Sequence, residues 1–379
     1  MKFIHTSDWH LGRQFHNHSL LEDQAHVLDQ LVAISSAHAV DVVVVAGDIY
    51  DRSVPPASAV ELLDSVLYRL CGELGIAVVL IPGNHDSPER LGFGARQLAG
   101  AGLHIIDRPE AILEPVRLGD SHGEVAFYGI PYLEPAVARE FFEMDLSGHD
   151  AAIAYTTQRI LEHNRKQGGL RTVVISHCFL DGGIASESER PLSVGGAEGV
   201  SAKHFRDFDY TALGHLHGAQ TRGCEHIRYA GSILKYSFSE ERHEKSVTLV
   251  EMDVQGECVV ETIPLAPLHD MRTVEGALAD ILSRGENDPH AGDYLQVRLS
   301  DTHAILDIMG KLREVYPNTL HLERPGLRVN TAGTASRERL QKGEMSMFSD
   351  FFEQVRGEAL SQDQERVLEL IISRLHREE

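Results

Sequence analysis

The sequence lacks any apolar run near the roughly 20 residues that a membrane-spanning helix needs. Its first residues, MKFIHTSDWH, contain no apolar segment of the kind that directs export. We therefore expect a cytoplasmic protein. With 379 residues, 42% of them hydrophobic and 24% charged, the chain is long enough for one large domain and a smaller one.

Cysteine is scarce, and no two cysteines are spaced as CxxC. The four are Cys71, Cys178, Cys224 and Cys258. This scatter argues against a disulfide framework and against a thiolate metal site, so we expect reduced thiols. Cys178 directly follows His177, one of the candidate metal ligands described below. The other candidates offer oxygen and nitrogen atoms rather than sulfur, so we interpret Cys178 as a small buried residue and not as a ligand.

Positive charge is also in short supply, with 35 Lys and Arg against 57 Asp and Glu and a net charge of −22. Nonspecific binding of nucleic acid depends on cationic side chains that neutralise phosphates. Charge alone therefore favours a small phosphorylated substrate, or no nucleic acid at all. Bound metal cations or a partner subunit would have to supply the missing positive charge.

What the sequence does contain is five short apolar runs that each end in residues able to bind metal. The runs KFIHT, DVVVVAGD, IAVVLIPGN, TVVISH and YTALGH are typical of strands. They lead into Asp8-Trp9-His10, Gly47-Asp48-Ile49-Tyr50-Asp51-Arg52, Gly83-Asn84-His85-Asp86, Ser176-His177 and Gly214-His215-Leu216-His217. Strands of a buried parallel sheet present such residues together at their carboxyl ends. A single His-x-His pair would be weak evidence, whereas five motifs in order are specific.

The ordered motifs DxH, GDxxDR, GNHD, a single His and GHxH resemble the calcineurin-like metallophosphoesterase superfamily. Longer stretches resemble the SbcD family within it, which comprises the nuclease subunits of bacterial SbcCD complexes. These stretches are HTSDWHLG, VPPASA, FDYTALGHLHGAQ and IRYAGSILKYSFSE. The resemblance implies an α/β fold, a two-sheet metallophosphoesterase sandwich flanked by helices.

The resemblance also implies two divalent metal ions, with Mn²⁺ the expected metal. The implied ligands are Asp8, His10 and His217 for one ion, Asn84, His177 and His215 for the other, and Asp48 for both. Oxygen and nitrogen donors without thiolate suit manganese, iron or zinc. Two ions would offset the negative charge of a phosphodiester and orient it for in-line attack.

Two further residues within these motifs, His85 and Arg52, each have two possible roles, whereas Trp9 has one. The resemblance makes His85 a general acid, oriented by Asp86, although a structural histidine is the alternative. Arg52 would either contact a phosphate or form a salt bridge that shapes its loop. Trp9 stands between two implied ligands, and we expect it to pack in the core.

Strand and helix patterns alternate along a predicted nuclease domain, residues 1–266. Helices are predicted at about 20–38, 57–71 and 151–166, with a further helix beginning at Ser87-Pro88. Strands near 226–231, 246–253 and 258–264 are predicted to form a second, antiparallel sheet facing the first. Residues 184–200 form a long surface loop near the site, either functional or mobile without a role.

Beyond residue 266 we predict a small α/β capping domain over 267–329, with helices at about 274–284 and 304–316 and strands at 294–299 and 319–323. A polar linker follows over 330–343, and 344–379 should form two short helices. The first would carry Met345, Phe348, Phe351, Phe352 and Val355 on one stripe. The second would begin at the capping box Ser361-x-x-Gln364, with Val367, Leu368, Ile371, Ile372 and Leu375 on its apolar face.

Helices this short are unstable alone and must dock, either on the protein's own body or on a coiled coil of the SbcC partner. The resemblance implies a DNA nuclease, a 3′-to-5′ double-strand exonuclease and single-strand or hairpin endonuclease that acts with the ATPase SbcC and forms a homodimer. One alternative is a stand-alone metallophosphoesterase for small phosphoesters, which the acidic charge favours. The other is a scaffold without catalysis, which the complete set of implied ligands argues against.

Overall fold

The computed structural model describes residues 1–189 and 199–325, positions 345, 348, 349 and 352, and residues 359–378. These residues belong to two compact units, Met1–Asp270 and Met271–Glu379. The predicted linker 330–343 and the apolar positions Phe351 and Val355 lie outside the described residues. Within the described part of the chain, no helix is both long and apolar enough to cross a membrane.

Strands and helices alternate in the first half of the first unit. They are β1 (Lys2–Thr6), β2 (Gln14–Phe15), β3 (His18–Ser19), α1 (Leu21–Ala37), β4 (Val42–Ala46), α2 (Ala57–Leu67), β5 (Ala77–Ile81), α3 (Pro88–Leu91), α4 (Ala95–Leu98) and β6 (Leu103–Ile105). A π-helical turn, Tyr68–Glu73, extends α2, so the predicted helix to residue 71 is confirmed in two parts. The Ser87 hydroxyl accepts a hydrogen bond from the Arg90 N–H, and this cap begins α3 with Pro88 in its first turn.

In the described part of the second half of this unit, eight strands and two helices follow. They are β7 (Val116–Asp120), β8 (Gly123–Ile130), α5 (Pro135–Phe142), α6 (His149–Lys166), β9 (Arg171–His177), β10 (Tyr210–Gly214), β11 (Gln220–Arg222), β12 (Cys224–Tyr229), β13 (Ser246–Met252) and β14 (Cys258–Pro264). Short 3₁₀ turns interrupt the chain at Ala99–Ala101, Pro109–Leu113, Ala202–Phe205 and Phe238–Glu240.

Two six-stranded sheets make up the body of the first unit. The first has the order β14-β13-β1-β4-β5-β6, and the second has the order β11-β12-β10-β9-β8-β7. In each sheet four neighbouring strands run parallel, β1, β4, β5 and β6 in the first and β12, β10, β9 and β8 in the second. Antiparallel strands complete the edges.

The expected separate antiparallel sheet after residue 220 is therefore wrong. Strand β12 pairs in parallel with β10, whereas β13 and β14 join the first sheet beside β1. Local pattern predicts that these segments are strands, but the partner of each strand depends on contacts distant in sequence.

A hydrophobic core between the two sheets accounts for their stacking. Its central side chains are Phe3, Val44 and Ile81 from the first sheet and Phe127, Val173 and Ile175 from the second. A second core lies on the other face of the second sheet, where Ile153 and Ile160 of α6 pack in one cluster with Tyr128 and Val174. Because the middle of strands β8 and β9 is buried on both faces, residues 125–128 and 173–175 are continuously apolar rather than alternating.

The second unit contains the parallel sheet β15-β16-β17, and the helices Leu278–Gly285 and Ile308–Val315 pack with it in one hydrophobic cluster. Its elements are β15 (Met271–Gly276), α7 (Leu278–Gly285), β16 (Tyr294–Leu299), α8 (Ile308–Val315), β17 (Thr319–Glu323) and α9 (Gln362–Glu378). The predicted helix starting at Val274 is wrong in its first turn, because Val274 lies in β15 and packs in the core with Ile281. Helix α8 begins later than predicted, where the Asp307 carboxylate accepts a hydrogen bond from the Gly310 N–H.

Candidate metal centre

The carboxyl ends of five parallel strands meet at one edge of the stacked sheets. Strands β1, β4 and β5 come from the first sheet, and β9 and β10 come from the second. The sequence motifs therefore converge from two sheets rather than from one. Backbone hydrogen bonds join the loops, since the Asp8 N–H donates to Gly47 O at 3.0 Å and the His10 N–H donates to Asp48 O at 2.9 Å.

Two glycines allow this convergence because a side chain at either position would collide with the neighbouring loop. A Cβ on Gly83 would overlap the Asp48 carboxylate, and a Cβ on Gly214 would overlap the carbonyl oxygen of Ala46. That carbonyl also accepts a hydrogen bond from His177 Nδ1 at 2.9 Å. The glycine of GNHD therefore allows two loops of the first sheet to approach closely, and the glycine of GHLH allows the two sheets to do so.

Four implied ligands have a backbone conformation that non-glycine residues seldom adopt. The φ angles are +53° at Asp8, +47° at His10, +51° at Asp48 and +105° at His215. Each such residue costs on the order of 1–3 kcal/mol, and strained backbone of this kind concentrates at functional sites.

Asp8, His10 and His217 form one buried group, with one donor atom of each within 4.8 Å of the others. His10 Nε2 lies 3.1 Å from His217 Nε2. Burial and the neighbouring histidines hold the pKa of His10 well below its usual value, so this ring is neutral. Burial raises the pKa of Asp8 to about 6, although His177 and His217 oppose that shift.

Asp8, Asp48 and His177 form a second group with the same spacing. His177 Nδ1 donates to the Ala46 carbonyl, and burial lowers the pKa of the ring, so its Nε2 carries a lone pair. The amide oxygen of Asn84 lies 2.9 Å from that Nε2. Two hydrogen-bond acceptors at this distance repel each other unless a cation lies near both of them.

The donor set therefore fits divalent cations. The atoms that converge are imidazole nitrogens, carboxylate oxygens and an amide oxygen, which borderline and hard divalent metals prefer. Among the described residues, His10 Nδ1 is buried without a hydrogen-bond partner. A cation would also remove the cost of burying the Asp8 and Asp48 carboxylates.

Asp48, a member of the second group, also lies close to the first group. Its Oδ2 is 3.6 Å from His10 Nε2 and 3.6 Å from His177 Nε2. Its Oδ1 accepts a hydrogen bond from the His85 N–H at 2.9 Å. His215 places its ring 5.4 Å from that of His177, and burial holds the pKa of His215 well below its usual value.

His85 is buried beside the two groups, but its orienting contact differs from the prediction. Its Nδ1 donates to the carbonyl oxygen of Asp51 at 2.7 Å, and its Nε2 lies 3.9 Å from Asp48 Oδ2. The Asp86 carboxylate instead accepts hydrogen bonds from the backbone N–H groups of Ile49, Tyr50 and Gly83 at 2.9–3.0 Å. Asp86 thus ties the second motif loop to the third, whereas a backbone carbonyl orients His85.

The other residues singled out in the sequence, Arg52, Trp9 and the loop 184–200, differ in their exposure to solvent. Arg52 is exposed, and Trp9 is fully buried with its Nε1 donating to the Thr6 hydroxyl at 3.0 Å. The described part of the loop, residues 184–189, reaches the site, where Ser188 Oγ lies 2.6 Å from His217 Nδ1. The stretch 190–198 lies outside the described residues.

Sequence reasoning missed two contributors to the site. Asp51 lies with His10 and His85 in a third group of potential ligands, and it also binds Arg13 at 3.2 Å. Asp51 is the second aspartate of the GDxxDR motif, and this position could have indicated that it lies at the site. Glu240 contacts His217 Nδ1 at 3.3 Å from a distant turn, and no spacing in the sequence indicates that contact.

Comparisons with known proteins identify the family of this chain. The family model of calcineurin-like phosphoesterases matches residues 1–219, and a model described as type 5 capsule protein repressor C-terminal domain matches residues 267–356. The SbcD subunit of the nuclease SbcCD from Staphylococcus saprophyticus is 34% identical over 381 residues, which cover 99% of this chain and 98% of that protein.

Two solved structures have lower similarity. A protein from Thermus thermophilus is 12% identical, covers 69% of this chain and 98% of its own, and has a TM-score of 0.40. A dimetal phosphatase from Danio rerio is 12% identical, covers 70% of this chain and 97% of its own, and has a TM-score of 0.39. The family assignment rests on the family model and on the full-length relative: this chain belongs to the calcineurin-like phosphoesterases and, among them, to the SbcD family of nuclease subunits.

Proposed function

We propose that this chain is a metal-dependent DNA nuclease, a phosphodiester hydrolase that works with an SbcC ATPase in the processing, repair and recombination of DNA ends. The observation that carries the proposal is the convergence of buried acceptor atoms from Asp8, His10, Asp48, His177 and His217 at the meeting point of two sheets. The full-length similarity to a nuclease subunit supports the choice of substrate.

Two divalent ions, Mn²⁺ in our proposal, would bind at this edge. The ligands we propose are Asp8, His10 and His217 for one ion, Asn84, His177 and His215 for the other, and Asp48 for both. When bound, such ions offset the charge of a phosphodiester and activate water for in-line attack.

The protein's own residues prepare this chemistry. The Ala46 carbonyl holds His177 by its Nδ1, which leaves Nε2 directed toward Asn84 and Asp48. His85 is held by its Nδ1 on the Asp51 carbonyl, so its Nε2 is the atom available to hold a proton for the leaving oxygen. Arg52, exposed at the end of the second motif, is our candidate contact to a substrate phosphate.

The proposed activities are 3′-to-5′ double-strand exonuclease and single-strand or hairpin endonuclease. A net charge of −22 repels DNA at long range, so we assign most of the affinity for DNA to the partner subunit and to the metal ions. We further propose a cytoplasmic location and a homodimer of the nuclease subunit.

The proposed domain limits are 1–266 for the nuclease domain, 267–329 for the capping domain, 330–343 for the linker and 344–379 for helices that bind the SbcC coiled coil. The described helix α9 supports the last assignment. Its capping box is formed, since the Ser361 N–H donates to Gln364 Oε1 at 2.9 Å and the Gln364 N–H donates to Ser361 Oγ at 3.4 Å. Val367, Leu370 and Ile371 on this helix are exposed, by 57%, 71% and 51%.

The alternative is a phosphoesterase for small phosphoesters, which the acidic charge favours. One assay separates the two. Chelator-treated protein is supplied with Mn²⁺ and given hairpin DNA, blunt duplex DNA or a chromogenic phosphodiester, with and without SbcC and ATP. We expect Mn²⁺-dependent DNA cleavage that SbcC stimulates. Hydrolysis of the small diester without DNA cleavage under any of these conditions would favour the alternative.

A further inference from the structure

His217 is held differently from the other implied ligands. Its backbone N–H donates to Glu189 Oε1 at 2.8 Å, and its carbonyl accepts a hydrogen bond from Lys245 Nζ at 2.8 Å. Its Nδ1 lies 2.6 Å from Ser188 Oγ and 3.3 Å from Glu240 Oε1. The N–H, the carbonyl and the ring of His217 are thus all held by side chains, which come from residues 188–189, 240 and 245.

Glu240 is at the centre of this arrangement. It is fully buried at the end of the 3₁₀ turn Phe238–Glu240. One carboxylate oxygen, Oε1, contacts Ser188 Oγ and His217 Nδ1, and it accepts a further hydrogen bond from Ser237 Oγ at 3.2 Å. The other oxygen, Oε2, pairs with Lys245 Nζ at 2.6 Å.

The charge of Glu240 is secured by its partners. Burial disfavours its ionised form, but the Lys245 ammonium at 2.6 Å from Oε2 and the hydroxyl groups that donate to Oε1 stabilise the carboxylate. A buried ion pair contributes little net stability compared with apolar residues of the same volume. A contribution to folding stability therefore does not by itself explain why the Glu240–Lys245 pair is buried here.

The geometry determines which nitrogen of His217 carries the proton. Ser188 Oγ donates to Glu240 Oε1, so its lone pair faces His217 and accepts from Nδ1–H. In the neutral form of the ring the proton is therefore on Nδ1, and the lone pair of Nε2 is directed toward His10 Nε2 at 3.1 Å. A carboxylate behind a ligand histidine fixes the ring orientation and makes the ring a stronger donor to metal.

We infer that Glu240, acting through Ser188 and anchored by Lys245, is the positioning residue that makes His217 a metal donor. By contrast, His177 obtains its orientation from the neutral Ala46 carbonyl. A carboxylate therefore stands behind a histidine at one proposed ion position, and only a neutral carbonyl at the other. The metal affinity of the Asp8–His10–His217 position depends on Glu240. This inference rests on the metal centre proposed above.

The test is a calorimetric titration of metal-free protein with Mn²⁺, with Co²⁺ absorption spectra as a report on ligand geometry. The variant Glu240→Gln keeps the size of the side chain and removes its charge. The matched control is Glu244→Gln, the same change at an exposed position four residues later. We expect Glu240→Gln to weaken one of two Mn²⁺ binding events by about 10–100-fold and to alter the Co²⁺ spectrum, whereas the control changes neither.

A second variant, Ser188→Ala, removes the relay hydroxyl and leaves the Glu240–Lys245 pair intact. If Glu240→Gln does not fold, Ser188→Ala still tests the inference. We expect Ser188→Ala to weaken the same single Mn²⁺ binding event. Two binding events of unchanged affinity, or an equal loss at both, would overturn the inference, since an equal loss indicates a merely structural role. If the unsubstituted protein binds no Mn²⁺, the proposed metal centre itself fails, and that result is distinct from a failure of Glu240 alone.

Discussion

At the scale of single residues, His85 differs from the other histidines of the site in the role we propose. Its ring is held by a backbone carbonyl, and its proposed task is to hold a proton. We expect His85→Ala to retain both Mn²⁺ ions and to lose turnover by about 10²–10⁴-fold, the usual contribution of general acid–base catalysis. Metal content and single-turnover cleavage of a hairpin measure the two effects. Loss of metal would make His85 a ligand, and near-normal turnover would make it structural.

Asp48 is the residue whose position close to both groups predicts a bridging role. Its Oδ2 is equidistant, at 3.6 Å, from one histidine nitrogen of each group. We expect Asp48→Asn to lose both ions and all cleavage while it stays folded, because a neutral amide cannot serve two cations as a carboxylate does.

Asparagine is the appropriate replacement at this position. It tolerates the positive φ of Asp48, where alanine would add strain, and its amide oxygen can still accept from the His85 N–H. Calorimetry with Mn²⁺ and circular dichroism measure binding and folding. A folded variant that still binds two ions per chain would remove Asp48 from the bridge.

At the scale of elements, Asp120 secures the edge strand β7 to the second sheet. Its carboxylate receives two hydrogen bonds from the Arg171 guanidinium of β9, at 2.7 and 3.0 Å, across the intervening strand β8. The amine of Met1 also contacts it. Hydrogen bonding from Arg171 holds the pKa of Asp120 well below its usual value.

A depressed carboxyl pKa adds stability above the unfolded pKa, about 3.9 for Asp, and that stability is lost as pH falls through the folded pKa. We therefore expect Asp120→Asn to lower the free energy of unfolding by about 2 kcal/mol at pH 7, and by less at pH 3. Urea unfolding at the two pH values measures this. The exposed control Glu124→Gln should change stability by less than about 0.5 kcal/mol. A loss that is equal at pH 7 and pH 3 would contradict the assignment.

At the scale of the whole molecule, the proposed nuclease body and the proposed partner-binding helices should be separable. We expect a chain ending at Gly343 to fold and to keep Mn²⁺-dependent nuclease activity, because every implied ligand lies before residue 218. It should lose SbcC binding and ATP-stimulated cleavage of double-stranded ends. A pull-down with SbcC measures the first effect, and retention of SbcC at full strength would refute the assignment.

A full-length variant tests the same surface without truncation. The exposed apolar side chains Val367, Leu370 and Ile371 can be replaced together by glutamate. The control replaces the exposed polar residues Arg366 and Glu369 of the same helix by alanine. We expect only the first variant to lose SbcC, because burial of apolar side chains drives the docking of an amphipathic helix.

Much of the fold was accessible from the sequence because its signals are local. Continuous β-branched runs such as Val42–Ala46 predict buried strands, and the spacing of Leu28, Leu31 and Val32 predicts the buried face of α1. The capping residues Ser87 and Ser361 begin helices by contacts within three residues of themselves. Each of these features is determined by neighbours in the chain, so a short window of sequence suffices.

The sequence by itself determined which residues stand at the strand ends, and thus the chemical nature of the proposed metal centre. Only the tertiary structure decided that those strands come from two sheets, that Asp86 ties two loops together while a carbonyl orients His85, and that Glu240 stands behind His217. The physical reason is the separation along the chain of the residues that contact one another. Strand partners and buried hydrogen bonds are chosen by burial and polar satisfaction among segments far apart in the chain, and no local periodicity encodes that choice.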